Sequence, residues 1–409
     1  MTAAQRPLLI RADRVLTPGG VVSADLRVEQ GRIVEIGDPP ASGARVLDLR
    51  GLLVAPALVD MHGDAFERQL FPRPGVAFPL HAAIFDTDRQ AAANGIATVY
   101  HALTLGWEPG LRSLEGARAF MDALAALAPR LAVEHRVQLR WETFCPEAEP
   151  LIAEALARAP TPSLAFNDHT SMTARPLGQP VQARAPDLDP ARPSADLDDP
   201  AFLERLGYAA RRAAMGPEAL LPLFRERWAR REAVPASVAR MAALAREAGA
   251  PLLSHDDNTP ALRAAYRAHG ARIAEFPMTV ETAEAARAAG DRIVLGAPNA
   301  ARGGSHLGSV SAGEMVEAGL CDALASDYVY PAMLAAVARL VAERRCGLER
   351  AWALVSSNAA AASDLTDRGA IAPGLRADLV AAEWPGEATP TIRLTLSAGR
   401  IAHLSGVAI

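Results

Sequence analysis

Between residues 53 and 362 the chain changes hydrophobic period eight times, from a short apolar run to a helical stretch and back. The runs predict strands at 57–61, 97–101, 136–141, 163–167, 251–254, 272–275, 292–295 and 322–325. Patterns such as LHAAIFDTDRQAAANG, SVARMAALAREAG and TVETAEAARAAG predict helices between them. Gly95, Gly249 and Gly290 fall where a helix C-terminus favours a left-handed residue. Eight strands alternating with helices is the count of an α/β barrel, (β/α)8. A doubly wound open sheet is the competing arrangement, but no Gly-rich dinucleotide turn follows the first strand.

The two ends follow a different rhythm. LLIRADRVL, ADLRVEQ and GRIVEIG at the start, and GLRADLVAAE, TIRLTLS and GRIAHLSG at the end, alternate with strand period. The termini are therefore expected to meet in one small sheet domain, 1–52 with 363–409, beside a barrel over 53–362. One stretch breaks the barrel's rhythm. Residues 175–200 are rich in Pro, Asp and Arg and predict a long loop. Asp199-Pro200 then suits an N-cap with Pro at the first helical position, opening further helix. The whole insertion, about 175–235, is expected to serve as a lid or a homodimer contact.

Composition narrows the function. Hydrophobic residues at 50% leave ample surface to bury, which excludes a disordered chain. A net charge of -5 makes no electrostatic case for nucleic acid or an anionic membrane. No run of roughly 18 apolar residues or secretory leader is apparent. Cys145, Cys321 and Cys346 form no CxxC pair, which suits a reducing cytoplasm. All 42 basic residues are arginine, so a Schiff-base lysine, a carboxylated lysine and a Walker lysine are excluded.

In a βα barrel the chemistry sits at the carboxyl ends of the strands. Reading just past each predicted strand yields His62 and Asp64, then Glu142, His169, His255 and Asp327. His62 and Asp64, two apart on an extended segment, point the same way and can hold one ion. Three histidines and three carboxylates suit borderline divalent ions, Zn2+ first, with Mn2+ and Fe2+ as the others. With lysine excluded, the bridge between two ions roughly 3.5–4 Å apart is left to a glutamate, for which Glu142 is the candidate, or to a water. His81, His101, His135, His269 and His403 have no acidic partner at a strand end and are expected to be structural or exposed. A basic set follows strands one and seven: Arg68, Arg73 and Arg302. Arg302-Gly303-Gly304-Ser305-His306 is expected to form a turn opening a helix, where backbone N–H groups would meet an anion.

Together these residues resemble the amidohydrolase superfamily. More narrowly, VAPALVDMHGDAFERQLFPRPG, LLSHDDNT, EFPMTVETA, GAPNAARGGSHLGSVSA and ASDYVYPAML resemble the PhnM family of phosphonate catabolism, from about residue 8 to the end. The resemblance implies a (β/α)8 metal-dependent hydrolase barrel with a small β-sandwich domain formed from both termini. It implies hydrolysis of α-D-ribose 1-methylphosphonate 5-triphosphate, releasing pyrophosphate and leaving the 5-phosphate. On this reading one ion is held by His62, Asp64 and Asp327 and a second by His169 and His255, with Glu142 bridging. Asp327 accepts a proton from water, and Arg68, Arg73, Arg302 and the Gly303-Gly304-Ser305 turn neutralise the phosphates of a small phosphorylated substrate. The chain departs from the family pattern in three places. His62-Gly63-Asp64-Ala65 replaces His-Thr-Asp-Asn, Gln69 replaces His, and SMTARPLGQPVQAR follows His169-Thr170 in place of a Pro-Gly-Gln-Arg-Gln-Phe loop. Two other readings belong to different classes: a C–N hydrolase or deaminase of the same superfamily, and a non-catalytic assembly partner.

Overall fold

Eight strands pair in parallel, each with its neighbour in sequence. Barrel strands one to eight are Leu58–Gly63, Ile96–Leu105, Glu134–Glu142, Ser163–Asn167, Leu252–His255, Ile273–Glu275, Arg292–Gly296 and Ala323–Ala325. In this computed structural model the described residues are 6–73, 75–184, 188–305, 308, 310–384 and 389–406. Strand two is buried along its whole length, because a parallel strand is covered by helices outside and packed side chains inside. The ring comes together at a parallel bridge between Gly63 and Asp327. There the Asp64 N–H donates to the Asp327 carbonyl and the Asp327 N–H to the His62 carbonyl, both at 2.9 Å. Closure therefore falls on three of the residues singled out for chemistry.

The helices form where local chemistry places them. Ser113, Thr259 and Thr279 cap three of them, each side chain accepting an N–H three residues on. Gly95, Gly249 and Gly290 end three, at φ of 80°, 68° and 75°, a conformation that costs glycine nothing. No helix of the described residues is long and apolar enough to cross a membrane.

The ends of the chain form two smaller sheets, one from N-terminal strands alone and one from both ends. One joins Arg32–Gly37, Asp25–Glu29, Leu8–Arg11 and Arg45–Asp48 in that order. The other joins Arg400–Leu404, Thr391–Ser397, Leu379–Glu383, Leu53–Pro56, Val15–Thr17 and Gly20–Val22. They share one core built from Ile10, Leu26, Val54, Leu379 and Leu394 among others. Leu53–Pro56 pairs with Leu379–Glu383, so these four residues, placed with the barrel from sequence, belong by pairing to the end sheets.

The insertion carries helices Pro200–Arg212 and Pro217–Ala229. Asp199 caps the first, its side chain accepting the Ala201 N–H. Phe202, Leu206, Phe224 and Trp228 bury themselves in the same cluster as Trp141, Phe144 and Phe166 of the barrel. The pair is thus part of the core. Residues 185–187 of the expected loop lie outside the described residues.

Candidate active site

The carboxyl ends of strands one, five, six and eight meet around two stacked imidazoles. His62 ends strand one and His255 ends strand five, their ring centroids 5.3 Å apart. Phe276 sets its ring edgewise to both, at 5.0 and 5.2 Å. Below them lies Glu275, fully buried at the end of strand six. One Glu275 oxygen is 3.1 Å from His62 Nδ1 and the other 2.8 Å from His255 Nδ1. At His255 the contact is a hydrogen bond, which fixes the tautomer and turns Nε2 outward, the usual support of a metal-binding imidazole; His62 Nδ1 is near the carboxylate without a hydrogen bond to it. Burial disfavours charge on His62, yet the Glu275 carboxylate outweighs burial and raises its pKa. His255 and His169 are lowered, chiefly by burial, so both favour the neutral, ligating form.

Asp64 and Asp327 complete the group at strand one. One ligand atom from each of His62, Asp64 and Asp327 lies within 4.8 Å of the others. His62 Nε2 is buried and has no hydrogen-bond partner. An unpaired buried nitrogen is costly, and a divalent ion facing two carboxylates is the ligand that would satisfy it. Burial, then the charge of Asp64, pushes the Asp327 carboxyl up to about 7. Three non-glycine residues just past strands five, six and eight have left-handed backbone: Asp256, Phe276 and Asp327, at φ of 62°, 55° and 54°. Such strain persists where the surroundings over-determine it, commonly at functional sites. Gly63 also has a steric reason. A Cβ there would meet Asp60 Oδ2 at 2.7 Å, Ser326 Oγ at 3.1 Å and Tyr330 at 3.2 Å. Asp60 accepts from Ser326 N–H and hydroxyl, tying strand one to strand eight behind the site.

His169, His255 and Asp256 form a second group with ligand atoms within 4.8 Å. A residue missed from sequence lies among them. The Arg140 guanidinium, on strand three, puts Nη2 2.9 Å from His255 Nε2 and 3.4 Å from His169 Nε2. Its Nη1 is 3.5 Å from Asp64 Oδ2 and its Nε 3.3 Å from Asn167 Oδ1.

Glu142 does not reach the position of a bridge. One oxygen accepts the His169 N–H and the Asn167 amide, both at 3.0 Å. The other accepts the Thr170 N–H at 3.2 Å and its hydroxyl at 2.8 Å. Burial, then Asp168, pushes this carboxyl up to about 8. Glu142 therefore anchors the start of the helix His169–Ala174 instead of standing between two ions.

The expected basic set is dispersed. Arg68 and Arg73 are exposed, and Arg68 donates to the Tyr328 carbonyl at the rim. Arg302 is exposed at the C-terminal end of the helix Ala297–Arg302. Gly303 is that helix's left-handed cap, and the Gly303 and Gly304 N–H groups donate to the Asn299 carbonyl, both at 3.0 Å. The turn closes a helix, so those two N–H groups are not free for an anion. Ser305 is half-buried, and His306 lies outside the described residues.

A small cleft opens beside His169, lined by Trp107, Glu142, Thr170 and, from the insertion, Leu206 and Phe224. Its cationic groups are Arg112 and Arg212. Glu67 holds Arg112 through two 3.0 Å bonds, and Glu108 grips Arg212 through Nε and Nη2.

Eight parallel strands with His and Asp at their carboxyl ends, beside sheets built from the two ends of the chain, define a (β/α)8 barrel with a candidate metal site. D-hydantoinase shares the fold at a TM-score of 0.60, 14% identity, 97% of this chain and 95% of that one. Molinate hydrolase does so at 0.62, 14% identity, 98% and 95%. No protein-family model matches the chain. The alpha-D-ribose 1-methylphosphonate 5-triphosphate diphosphatase of Escherichia coli (strain K12) is 34% identical over 385 residues, 92% of this chain and 95% of that protein. The chain belongs to this diphosphatase family, PhnM, and is a hydrolase.

Proposed function

We propose that this chain hydrolyses α-D-ribose 1-methylphosphonate 5-triphosphate to the 5-phosphate and pyrophosphate. The observation that carries the reading is similarity to the Escherichia coli diphosphatase along nearly the whole of both chains. His62, Asp64 and Asp327 would hold a divalent ion, Zn2+, Mn2+ or Fe2+ by their mixed nitrogen and oxygen donors. When bound, such an ion supplies Lewis acidity and makes water a better nucleophile at neutral pH. Asp327 accepts the proton of the attacking water as its general base. Glu275 keeps both imidazoles aligned. In the cleft, the carboxylate pairs use Nε and Nη2 of Arg112 and Arg212, which leaves the Nη1 hydrogens to meet phosphate oxygens in a fixed orientation. Incubating the purified, metal-loaded protein with the ribose triphosphate and measuring pyrophosphate tests this directly.

A C–N hydrolase is the second reading, and one observation favours it. The Gly303 and Gly304 N–H groups expected to meet phosphate are already paired within their helix cap. Ammonia or carboxylate release from amide substrates, with no pyrophosphate from the triphosphate, would establish that reading and end the first.

A further inference from the structure

We propose that the Arg140 guanidinium replaces the second metal cation, so that the chain takes a single divalent ion at His62, Asp64 and Asp327. The first observation is occupancy of the ligand. His255 Nδ1 faces Glu275 at 2.8 Å, which leaves its one free lone pair on Nε2. Arg140 Nη2 lies 2.9 Å from that nitrogen. A metal ion binds an imidazole at about 2.0–2.1 Å along the same lone pair, so ion and guanidinium compete for one place. The same Nη2 is 3.4 Å from His169 Nε2, between the two histidines that would share a second ion.

The second observation is charge. Asp64, Asp256, Asp327 and Glu275 gather around the three imidazoles, and Arg140 brings a cation among them. Its side chain is 8% exposed. It lies on strand three, inside the barrel, not on a rim loop.

The third observation is support. Arg140 Nε donates to Asn167 Oδ1 at 3.3 Å, and the amide of Asn167 donates to Glu142 at 3.0 Å. Glu142 is in turn fixed by the His169 N–H and by Thr170. The carboxylate that would bridge two ions instead holds the residue that holds Arg140. With no lysine in the chain, a carboxylated lysine cannot take over the bridge. Gln138, Arg140 and Glu142 share the inward face of strand three by the two-residue period, and each has a polar partner in the site. Gln138 donates to Glu275 at 2.8 Å.

The inference rests on the metal reading of the site but not on the choice of substrate. The test is metal stoichiometry of the intact chain, with Mn2+ as the probe, by equilibrium dialysis and electron paramagnetic resonance. Wild type is expected to bind about one ion per chain and give the spectrum of an isolated Mn2+. Arg140→Ala is expected to bind about two, with a spectrum broadened by the interaction of two nearby ions, because His169, His255 and Asp256 are freed. Arg140→Lys, which keeps the charge, is expected to stay at about one. A merely structural role for Arg140 predicts fewer ions in the alanine variant, not more. Two coupled ions in wild type overturn the inference whether or not any variant folds, and so does a well-folded Arg140→Ala that still takes one. Pyrophosphate release by a protein holding two ions would leave the proposed substrate standing and remove this inference alone. A one-ion protein that releases no pyrophosphate would do the reverse.

Discussion

Two carboxylates with opposite tasks account for most of the site's chemistry. Glu275 is ionised and buried against two Nδ1 atoms, and its pKa is held far down despite burial because His62 and His255 face it. Glu275→Gln keeps the volume and removes the charge, so one imidazole loses its orienting acceptor. Metal affinity is expected to fall about 10–100-fold with the fold intact, as read by chelator competition. Unchanged affinity would show that the imidazoles are positioned by packing against Phe276 alone. Asp327 is the reverse case, a carboxyl raised to about 7 by burial and Asp64. If it receives the water's proton, Asp327→Asn should lower kcat by about 10²–10⁴-fold with little change in KM. Near-normal turnover in that variant, at full metal content, would remove the role.

At the level of elements, the helix pair of the insertion and the cap at Gly303 show how context redirects a motif. The insertion reads as a loop and an Asp199-capped helical stretch, and its apolar residues Phe202, Leu206, Phe224 and Trp228 turn inward, Leu206 and Phe224 walling the cleft. Arg302-Gly303-Gly304, expected from the sequence to be an anion turn opening a helix, closes one instead, a place that also uses glycine with positive φ. What decides is Asn299, whose carbonyl takes both glycine N–H groups. Gly303 has φ of 85°, and a Cβ there would meet the Arg339 guanidinium within 2.4–2.9 Å. Gly303→Ala is expected to destabilise the protein by about 1–2 kcal/mol. Calorimetry checks this, and a melting temperature equal to wild type would mean that the cap relaxes freely.

Across the whole molecule, the barrel and the C-terminal segment are joined through one carboxylate. Glu134 begins strand three and meets Arg368 at 2.7 Å, Arg136 at 2.6 Å and Arg376. Burial alone would raise its pKa, but the three guanidinium groups outweigh burial and hold it at about 2, against 4.5 unperturbed. A depressed folded-state pKa stabilises above the unfolded value and ceases to do so as pH falls through the folded one. The contribution is on the order of 2–3 kcal/mol at neutral pH, given the part of Glu134 that remains in water. Glu134→Gln should therefore melt below wild type at neutral pH, and the gap should close as pH falls from 4.5 toward 2. A gap independent of pH would assign the loss to packing rather than charge.

The eight strands, the glycine helix ends, the Asp199 cap and the gathering of five of the six singled-out side chains at one end of the barrel were legible without coordinates. Each depends on short-range pattern: a period, a cap, or a residue's place just after a strand. His62, Asp64, His169, His255 and Asp327 all arrive at one end of the barrel because parallel strands with helical returns leave their carboxyl ends on one side. Glu275 was open to the same rule, since it ends the predicted strand 272–275, but without a histidine beside it a buried carboxylate looks like any other. Arg140 left a fainter signal, polar residues at 138, 140 and 142 alternating with the apolar Val137, Leu139 and Trp141. Tertiary structure alone decided that Glu142 would turn to the His169 helix, that Gly303 and Gly304 would bond to Asn299, and that Arg140 would lie between His169 and His255. The physical reason is reach. Backbone periodicity is set by neighbours in sequence, whereas a side chain's hydrogen-bond partner is chosen in space, here across 25 residues for Asn167 and Glu142 and 115 for Arg140 and His255.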